Sequence, residues 1–322
     1  MPQAQPSPAG SRQSALVLGG GGTYGVVQAA YVVAAVEAGF RPSMIVGTSV
    51  GSLNGAWIAL HPDEPEELLR IWLALDRLKL VRVNPLRMAA RLVRHPMGMA
   101  SNDVVPWLIR EHMAGKSFAD TRIPLAVVAT NLSRGEKRVF REGSLHAAIM
   151  ASTAIPGVFE PVEIDGDLYV DGGITASVDL ATAMAMGAAE ILAIDLTPPP
   201  PLVHPKTVVG VLRQSLGIMS HAATGAMEEC AAYSMPVRVI QPDLSASSPW
   251  QLADSAGSVA HNLTIARKEM RDALDAEGRV RVQGDLAACD LPPGPKEPIE
   301  MQRYFHRRGL PHDKRPRATR SQ

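Results

Sequence analysis

Apolar residues in this chain alternate between short unbroken blocks and longer stretches of helical length, and glycines stand at many of the joins. Ala15 to Leu18 is a short apolar block that stops at consecutive glycines, the pattern of a buried strand. Val26 to Ala38 has helical length, with Gly39 as its stop signal. Met44 to Val46 predicts a second strand, closed by Gly47-Thr48-Ser49, and Val50 to Leu60 a second helix. A strand, a helix and a further strand in that order predict a parallel sheet with helices packed on it.

Residues 61–123 predict mainly helix, with Glu66 to Leu75 and Val104 to Met113 as the clearest pieces. Leu125 to Thr130 predicts a third strand, and Arg138 to Phe140 a strand that pairs with it or a neighbour. Leu145 to Ala151 predicts a short helix. Val162 to Ile164 and Leu168 to Val170 flank Asp165-Gly166-Asp167, a hairpin signal. Val178 to Met186 predicts a helix ended by Gly187, and Ile191 to Leu196 a buried strand. Prolines at 198–201 punctuate the chain. Residues 207–234 and 251–276 have helical patterns, with a strand expected at Val237 to Ile240. No internal repeat is visible. The pattern divides the chain into a disordered leader (1–13), one α/β domain (14–291) and a polar tail (292–322).

Composition adds few constraints. The chain has 322 residues, 46% hydrophobic and 20% charged, and a formal net charge of zero, so nothing in the balance points to nucleic acid. Residues 296–322 carry eight Lys/Arg against three Asp/Glu. Such a tail suits either a solvated, solubilising segment or peripheral contact with anionic membrane, where Tyr304 and Phe305 would enter the headgroup region. The two cysteines, Cys230 and Cys289, make neither a disulfide framework nor a zinc site. The N-terminal stretch is polar and proline-rich, without a secretory pattern. The apolar run Val26 to Val36 is interrupted by Gln28 and falls short of the roughly 20 residues a membrane span needs. These features lead us to expect a reduced, cytoplasmic protein.

Two glycine motifs carry candidate chemistry. Gly20-Gly21-Gly22-Thr23-Tyr24-Gly25 fits G-x-G-x-x-G at a strand-to-helix join. Backbone N–H groups there can hold a phosphate or the oxyanion of acyl transfer. A dinucleotide site also wants an acid at the end of the second strand, and that strand ends in Val46-Gly47-Thr48. Gly47-Thr48-Ser49-Val50-Gly51 is G-x-S-x-G between a strand and a helix, the setting of a nucleophile elbow. The alternative for Ser49 is a capping serine. An α/β-hydrolase places its nucleophile after the fifth strand, roughly 80 or more residues in, whereas Ser49 follows two.

A nucleophilic serine needs a base. The nine histidines, at 61, 95, 112, 146, 204, 221, 261, 306 and 312, lie in helical patterns or in the tail, none in a glycine-rich loop at a strand end. Asp171 follows the strand Leu168-Tyr169-Val170 and precedes Gly172-Gly173, a place from which a carboxylate reaches another strand end. An ordinary Asp-Gly turn is the plainer reading.

Three motifs in this order, Gly20–Gly25, Gly47–Gly51 and Asp171-Gly172-Gly173, resemble the patatin-like phospholipase family. The intervening text agrees: Ala129-Thr130-Asn131-Leu132, Ala151 to Phe159, and Met186-Gly187-Ala188 leading into the strand after it. The resemblance covers roughly residues 15–240. It implies a three-layer α/β fold with a mostly parallel central sheet and helices on both faces. It implies a serine–aspartate dyad without histidine, metal or cofactor: Ser49 attacks an ester carbonyl and Asp171 takes its proton. The N–H groups of Gly20, Gly21 and Gly22 would stabilise the oxyanion, with Gly25, Gly47, Gly51, Gly172 and Gly173 supporting the motifs. The implied activity is lipid acyl-ester hydrolysis of the phospholipase A, lysophospholipase or esterase type. Tyr24 stands where the family commonly has Arg or Lys, which implies a weaker preference for anionic headgroups. An acyltransferase using the same acyl-enzyme, and a nucleotide-binding protein using the glycine loop, are the competing functions.

Overall fold

A computed structural model describes residues 13–78, 115–197, 235–244, 255–275 and 280–282, with positions 108, 111–113, 211, 214, 215 and 217–219 between them. The leader, the helix expected from Val104 to Met113 (apart from 108 and 111–113), the prolines at 198–201, most of the helix expected over 207–234, both cysteines and the basic tail lie outside the described residues.

The chain runs β1 (Ser14–Leu18), α1 (Gly25–Glu37), β2 (Met44–Thr48), α2 (Val50–Leu60) and α3 (Pro65–Leu78). It continues with β3 (Leu125–Asn131), β4 (Glu136–Phe140), α4 (Leu145–Ser152), β5 (Val162–Ile164) and β6 (Asp167–Asp171). The last described elements are α5 (Leu180–Ala185), β7 (Glu190–Ile194), β8 (Val237–Ile240), α6 (Ser255–Asp275) and β9 (Val280–Val282). The elements expected within the described residues are present with ends moved by a few residues. The helix expected from Val178 starts at Leu180, because the Asp179 side chain caps it by accepting the Thr182 N–H. At the β5–β6 hairpin, Asp165 and Gly166 both take positive φ, as a tight primed turn requires. The strand β9 was not anticipated.

The nine strands among the described residues form one sheet, hydrogen-bonded in the order β5-β6-β3-β2-β1-β7-β8-β9, with β4 also on β3. The pairs β1–β2, β1–β7, β2–β3, β7–β8 and β8–β9 are parallel. The pairs β3–β4, β3–β6 and β5–β6 are antiparallel. One face of the sheet, with Leu16, Leu18, Ile45, Val127, Leu192 and Ile194, is buried with α1, α2, α3, α4 and α6. The other, with Ala15, Val17, Val46, Val128 and Ala193, packs on Val178, Leu180 and Ala183 in and before α5. This is the expected three-layer α/β architecture. Strands buried on both faces read as unbroken apolar runs, the reason the central strands were legible.

The register places β2 and β6 on the same edge of β3. Ile45 to Thr48 pair with Leu125 to Val128, and Tyr169 to Asp171 pair with Asn131 to Ala129. Residues 127–131 also pair with β4, which overlaps both and therefore occupies the opposite edge. Along one edge β2 stops at Thr48, opposite Val128, and β6 arrives from the other direction to stop at Asp171, opposite Ala129.

Lys137 of β4 ties that opposite edge to α5. Its ammonium donates to both carboxylate oxygens of Asp179, at 3.0 and 2.8 Å, and Asp179 is 2% exposed. The lysine is one third exposed, so the pair lies between the surface and buried limits. Lys137→Met is expected to cost about 2 kcal/mol in urea denaturation by leaving a buried carboxylate short of its cation. An unchanged midpoint would contradict that role.

Candidate active site

Because β2 and β6 end head to head on β3, the next residue of one and the last residue of the other meet. Ser49 Oγ donates to Asp171 Oδ2 at 2.6 Å, across 122 residues of sequence. Ser49 is 5% exposed and Asp171 7%.

Ser49 is the N-cap residue of α2, with φ 54° and ψ −125°. This backbone conformation costs a non-glycine residue about 1–3 kcal/mol, and its neighbours hold it there. The Ser49 N–H donates to Ser152 Oγ at 2.8 Å, and Ser152 Oγ donates to the Val128 carbonyl at 2.6 Å. The Ser49 carbonyl accepts from Ser52 N–H and Ser52 Oγ. Its side chain does not cap the helix, so the capping alternative fails and Oγ is left for Asp171. The turn is also too tight for side chains on either flank. A Cβ at Gly47 would lie 2.5 Å from the Gly51 carbonyl oxygen, and one at Gly51 would overlap the carbonyl oxygens of Leu18 and Gly19.

Asp171 is held with equal care. Its N–H donates to the Ala154 carbonyl, and its carbonyl accepts from Thr130 Oγ1. Its Oδ1 accepts the Gly173 N–H at 2.8 Å, leaving Oδ2 for the serine. Gly172 packs where a Cβ would overlap the Val128 carbonyl. Burial pushes the Asp171 carboxyl up to about 6, against the lowering effects of the Ser49 and Gly173 hydrogen bonds.

The glycine loop passes beside this pair. A Cβ at Gly20 would lie 3.4 Å from Ser49 Cβ. Gly20 itself is a correction to the expected oxyanion set. Its N–H donates to the Ser177 carbonyl at 3.1 Å and is not free for a ligand. Gly21 and Gly22 are different, since neither N–H makes a backbone hydrogen bond among the described residues. Gly22 adopts φ +56°. Gly21 lies against Leu196, and Gly25 against Val50 and Trp72 where α1 begins.

Among the described residues, His61, His112, His146 and His261 make no hydrogen bond to Ser49 or Asp171. Within the same residues no group of three or more His, Cys, Asp or Glu is placed to hold a metal, and no helix is long and apolar enough to cross a membrane. Sequence reasoning missed Ser152, Ser177 and the buried amides Gln28 and Asn54. Ser152 was visible only as one residue of the family-like run Ala151 to Phe159, just past the expected helix, and Gln28 only as an interruption in an apolar run. Nothing marked Ser177.

A strained serine at a strand–helix turn, bonded to a buried carboxylate beside unengaged N–H groups, is an arrangement suited to acyl transfer. Residues 16–184 match the family model of patatin-like phospholipase, and the chain belongs to that family. An uncharacterised NTE family protein of Mycobacterium tuberculosis is 31% identical over 188 residues, 58% of this chain and 49% of that protein. Patatin-like phospholipase domain-containing protein 6 of Homo sapiens is 30% identical over 186 residues, 56% of this chain and 13% of that one. The matched region thus spans about half of the mycobacterial relative and a small part of the human one. The solved structure of VipD from Legionella pneumophila aligns with a TM-score of 0.45 at 14% identity, covering 82% of this chain and 67% of that chain.

The raised Asp171 value makes a stability prediction independent of substrate. A carboxyl whose folded value lies above its unfolded value, here about 6 against 3.8, favours the fold while protonated. That contribution is complete below 3.8 and is lost as pH rises through about 6. Asp171→Asn removes the buried charge, keeps an acceptor for the Gly173 N–H and offers Ser49 Oγ a donor in place of the carboxylate oxygen. It is expected to raise the unfolding free energy at pH 8 by about 2–3 kcal/mol, with the gain vanishing towards pH 4. Denaturant titrations at both pH values check it, and an equal effect at the two would contradict the assignment.

Proposed function

We propose that this chain is a lipid acyl-ester hydrolase working through a Ser49–Asp171 dyad. The observation that carries the reading is the 2.6 Å hydrogen bond from Ser49 Oγ to a buried carboxylate oxygen, on a serine whose backbone the fold keeps strained. A carboxyl at about 6 is ionised at neutral pH and still basic enough to accept a proton in the transition state.

In this reading Ser49 Oγ attacks the ester carbonyl carbon as its proton passes to Asp171 Oδ2. The carbonyl oxygen becomes an oxyanion facing the N–H groups of Gly21 and Gly22. Donors of this kind are worth about 3 kcal/mol each in comparable hydrolases. Collapse breaks the bond to the alcohol, which leaves with the proton from Asp171, and Ser49 keeps the acyl group. A water then gives a proton to Asp171 as its oxygen attacks the acyl carbon; collapse breaks the bond to Ser49 Oγ, which takes the proton back from Asp171, and the acid is released. An alcohol in place of water would make the same centre an acyltransferase. The family to which the chain belongs makes a lipid ester the favoured substrate class. The nucleotide-binding alternative is weakened by Leu196 filling the space beside Gly21 and by the uncharged end of β2, where Thr48 donates to the Ala176 carbonyl.

Ser49→Ala is expected to abolish hydrolysis of p-nitrophenyl and lipid esters with the fold intact. Alanine substitution at His61, His112, His146 or His261 is expected to leave kcat within a few-fold of wild type. Assays of purified variants, with circular dichroism for folding, check both. Full activity in the alanine variant at 49, or loss in a folded histidine variant, would overturn the dyad.

A further inference from the structure

A chain of buried hydrogen bonds runs from α3 to the mouth of the glycine loop. Trp72 Nε1 donates to Asn54 Oδ1 at 2.9 Å. Asn54 Nδ2 donates to Gln28 Oε1 at 3.0 Å and to the Gly25 carbonyl at 3.0 Å. Gln28 Nε2 donates to the Gly19 carbonyl at 3.0 Å. Gln28 and Asn54 are fully buried and Trp72 nearly so. The direction of the chain is fixed by chemistry. An indole N–H can only donate, so Asn54 must present its oxygen to Trp72 and its nitrogen to Gln28. Gln28 must then present its nitrogen to Gly19. Neither amide can be reversed without setting two donors or two acceptors face to face.

The peptide at the end of this chain joins Gly19 to Gly20. Its carbonyl is held by Gln28, and its N–H by the Ser177 carbonyl at 3.1 Å. The Gly19 N–H, one peptide earlier, is held by the Ile194 carbonyl at 3.0 Å. At the far end of the loop, Asn54 holds the Gly25 carbonyl. Between these anchors lie Gly21 and Gly22, with their unengaged N–H groups and no Cβ to limit rotation. A glycine run of this kind keeps one direction only if its ends are pinned.

We infer that Gln28 and Asn54 are positioning residues that pin the two ends of the glycine loop and so aim the N–H groups of Gly21 and Gly22 at the oxyanion formed on Ser49. The inference rests on the Ser49–Asp171 reading above. It gives a purpose to the polar residue that interrupts an otherwise apolar, wholly buried stretch of α1.

The test uses the full-length chain, p-nitrophenyl butyrate, and a trifluoromethyl ketone. The ketone forms a hemiketal on Ser49 whose oxygen mimics the oxyanion. Gln28→Met keeps the side-chain length and removes both the donor and the acceptor. It is expected to lower kcat by about 100-fold, the scale of a lost oxyanion donor. KM should stay within twofold, and ketone affinity should weaken by the same factor as kcat. Tyr31→Phe is the control: on the same helix, it loses the bond from Tyr31 Oη to Glu269 of α6 and none of the bonds that hold the glycine loop, and should keep wild-type kcat. Should Gln28→Met fail to fold, Trp72→Phe removes the donor that polarises the chain, together with part of the ring that lies against Gly25, and is expected to lower kcat about tenfold. Wild-type kcat in the folded variants, a loss matched by Tyr31→Phe, or a rise in KM alone would overturn the inference. Absence of Ser49-dependent hydrolysis in the wild type is a separate result; it would overturn the dyad and the inference with it.

Discussion

The site depends on how one edge of β3 is shared. β3 is longer than its partner β2, so the edge beyond Val128 would present unpaired backbone groups in a buried place. Leaving them unpaired is costly, and β6 fills the gap from the opposite direction. Two strand ends therefore abut in the interior of the sheet. One leads into Ser49 and the other finishes in Asp171, so a serine and a carboxylate far apart in sequence are held at 2.6 Å by sheet register. A slip of one residue in either strand would turn one of the two side chains to the other face. The serine–carboxylate pair is a consequence of pairing, and the glycines at 47, 51 and 172 are the places where backbone comes too close for any side chain.

Burial explains the remaining electrostatics. Taking Asp171 out of water raises its carboxyl to about 6 even though two hydrogen bonds favour the charged form. The same enclosure strengthens any hydrogen bond aimed at developing charge. The fold destabilises the ionised Asp171 carboxylate and strains the Ser49 backbone. Ser152, Ser52, Thr130 and Gly173 hold the pair in place with hydrogen bonds from α4, α2, β3 and the turn after β6.

Much of this was legible in the sequence because buried parallel strands have no polar face to confuse the pattern, and because glycine runs mark strand ends. Ala15 to Leu18 and Leu125 to Thr130 could be read almost to the residue. So could Ser49 and Asp171 as candidates, since each sits between a strand and a glycine. The meeting of the two was not readable from spacing, since it follows from the shared edge of β3. The loss of Gly20 as a donor was equally hidden. It depends on the Ser177 carbonyl, which comes from a segment with no periodic signal. The buried amides were half visible. Gln28 broke an apolar stretch, but only the packing of α1, α2 and α3 reveals that it faces Asn54 and Gly19 rather than solvent.

Whether Asp171 acts as the base for Ser49 is measured most directly by the rate of covalent capture of Ser49 by a fluorophosphonate as a function of pH. With the base ionised above about 6, the wild-type rate should climb through that pH and level off in the neutral range. In Asp171→Asn it should be slower by orders of magnitude and lose that step, with the adduct still mapping to Ser49 by peptide mass. A pH-independent rate in the wild type, or undiminished capture in the asparagine variant, would contradict that role.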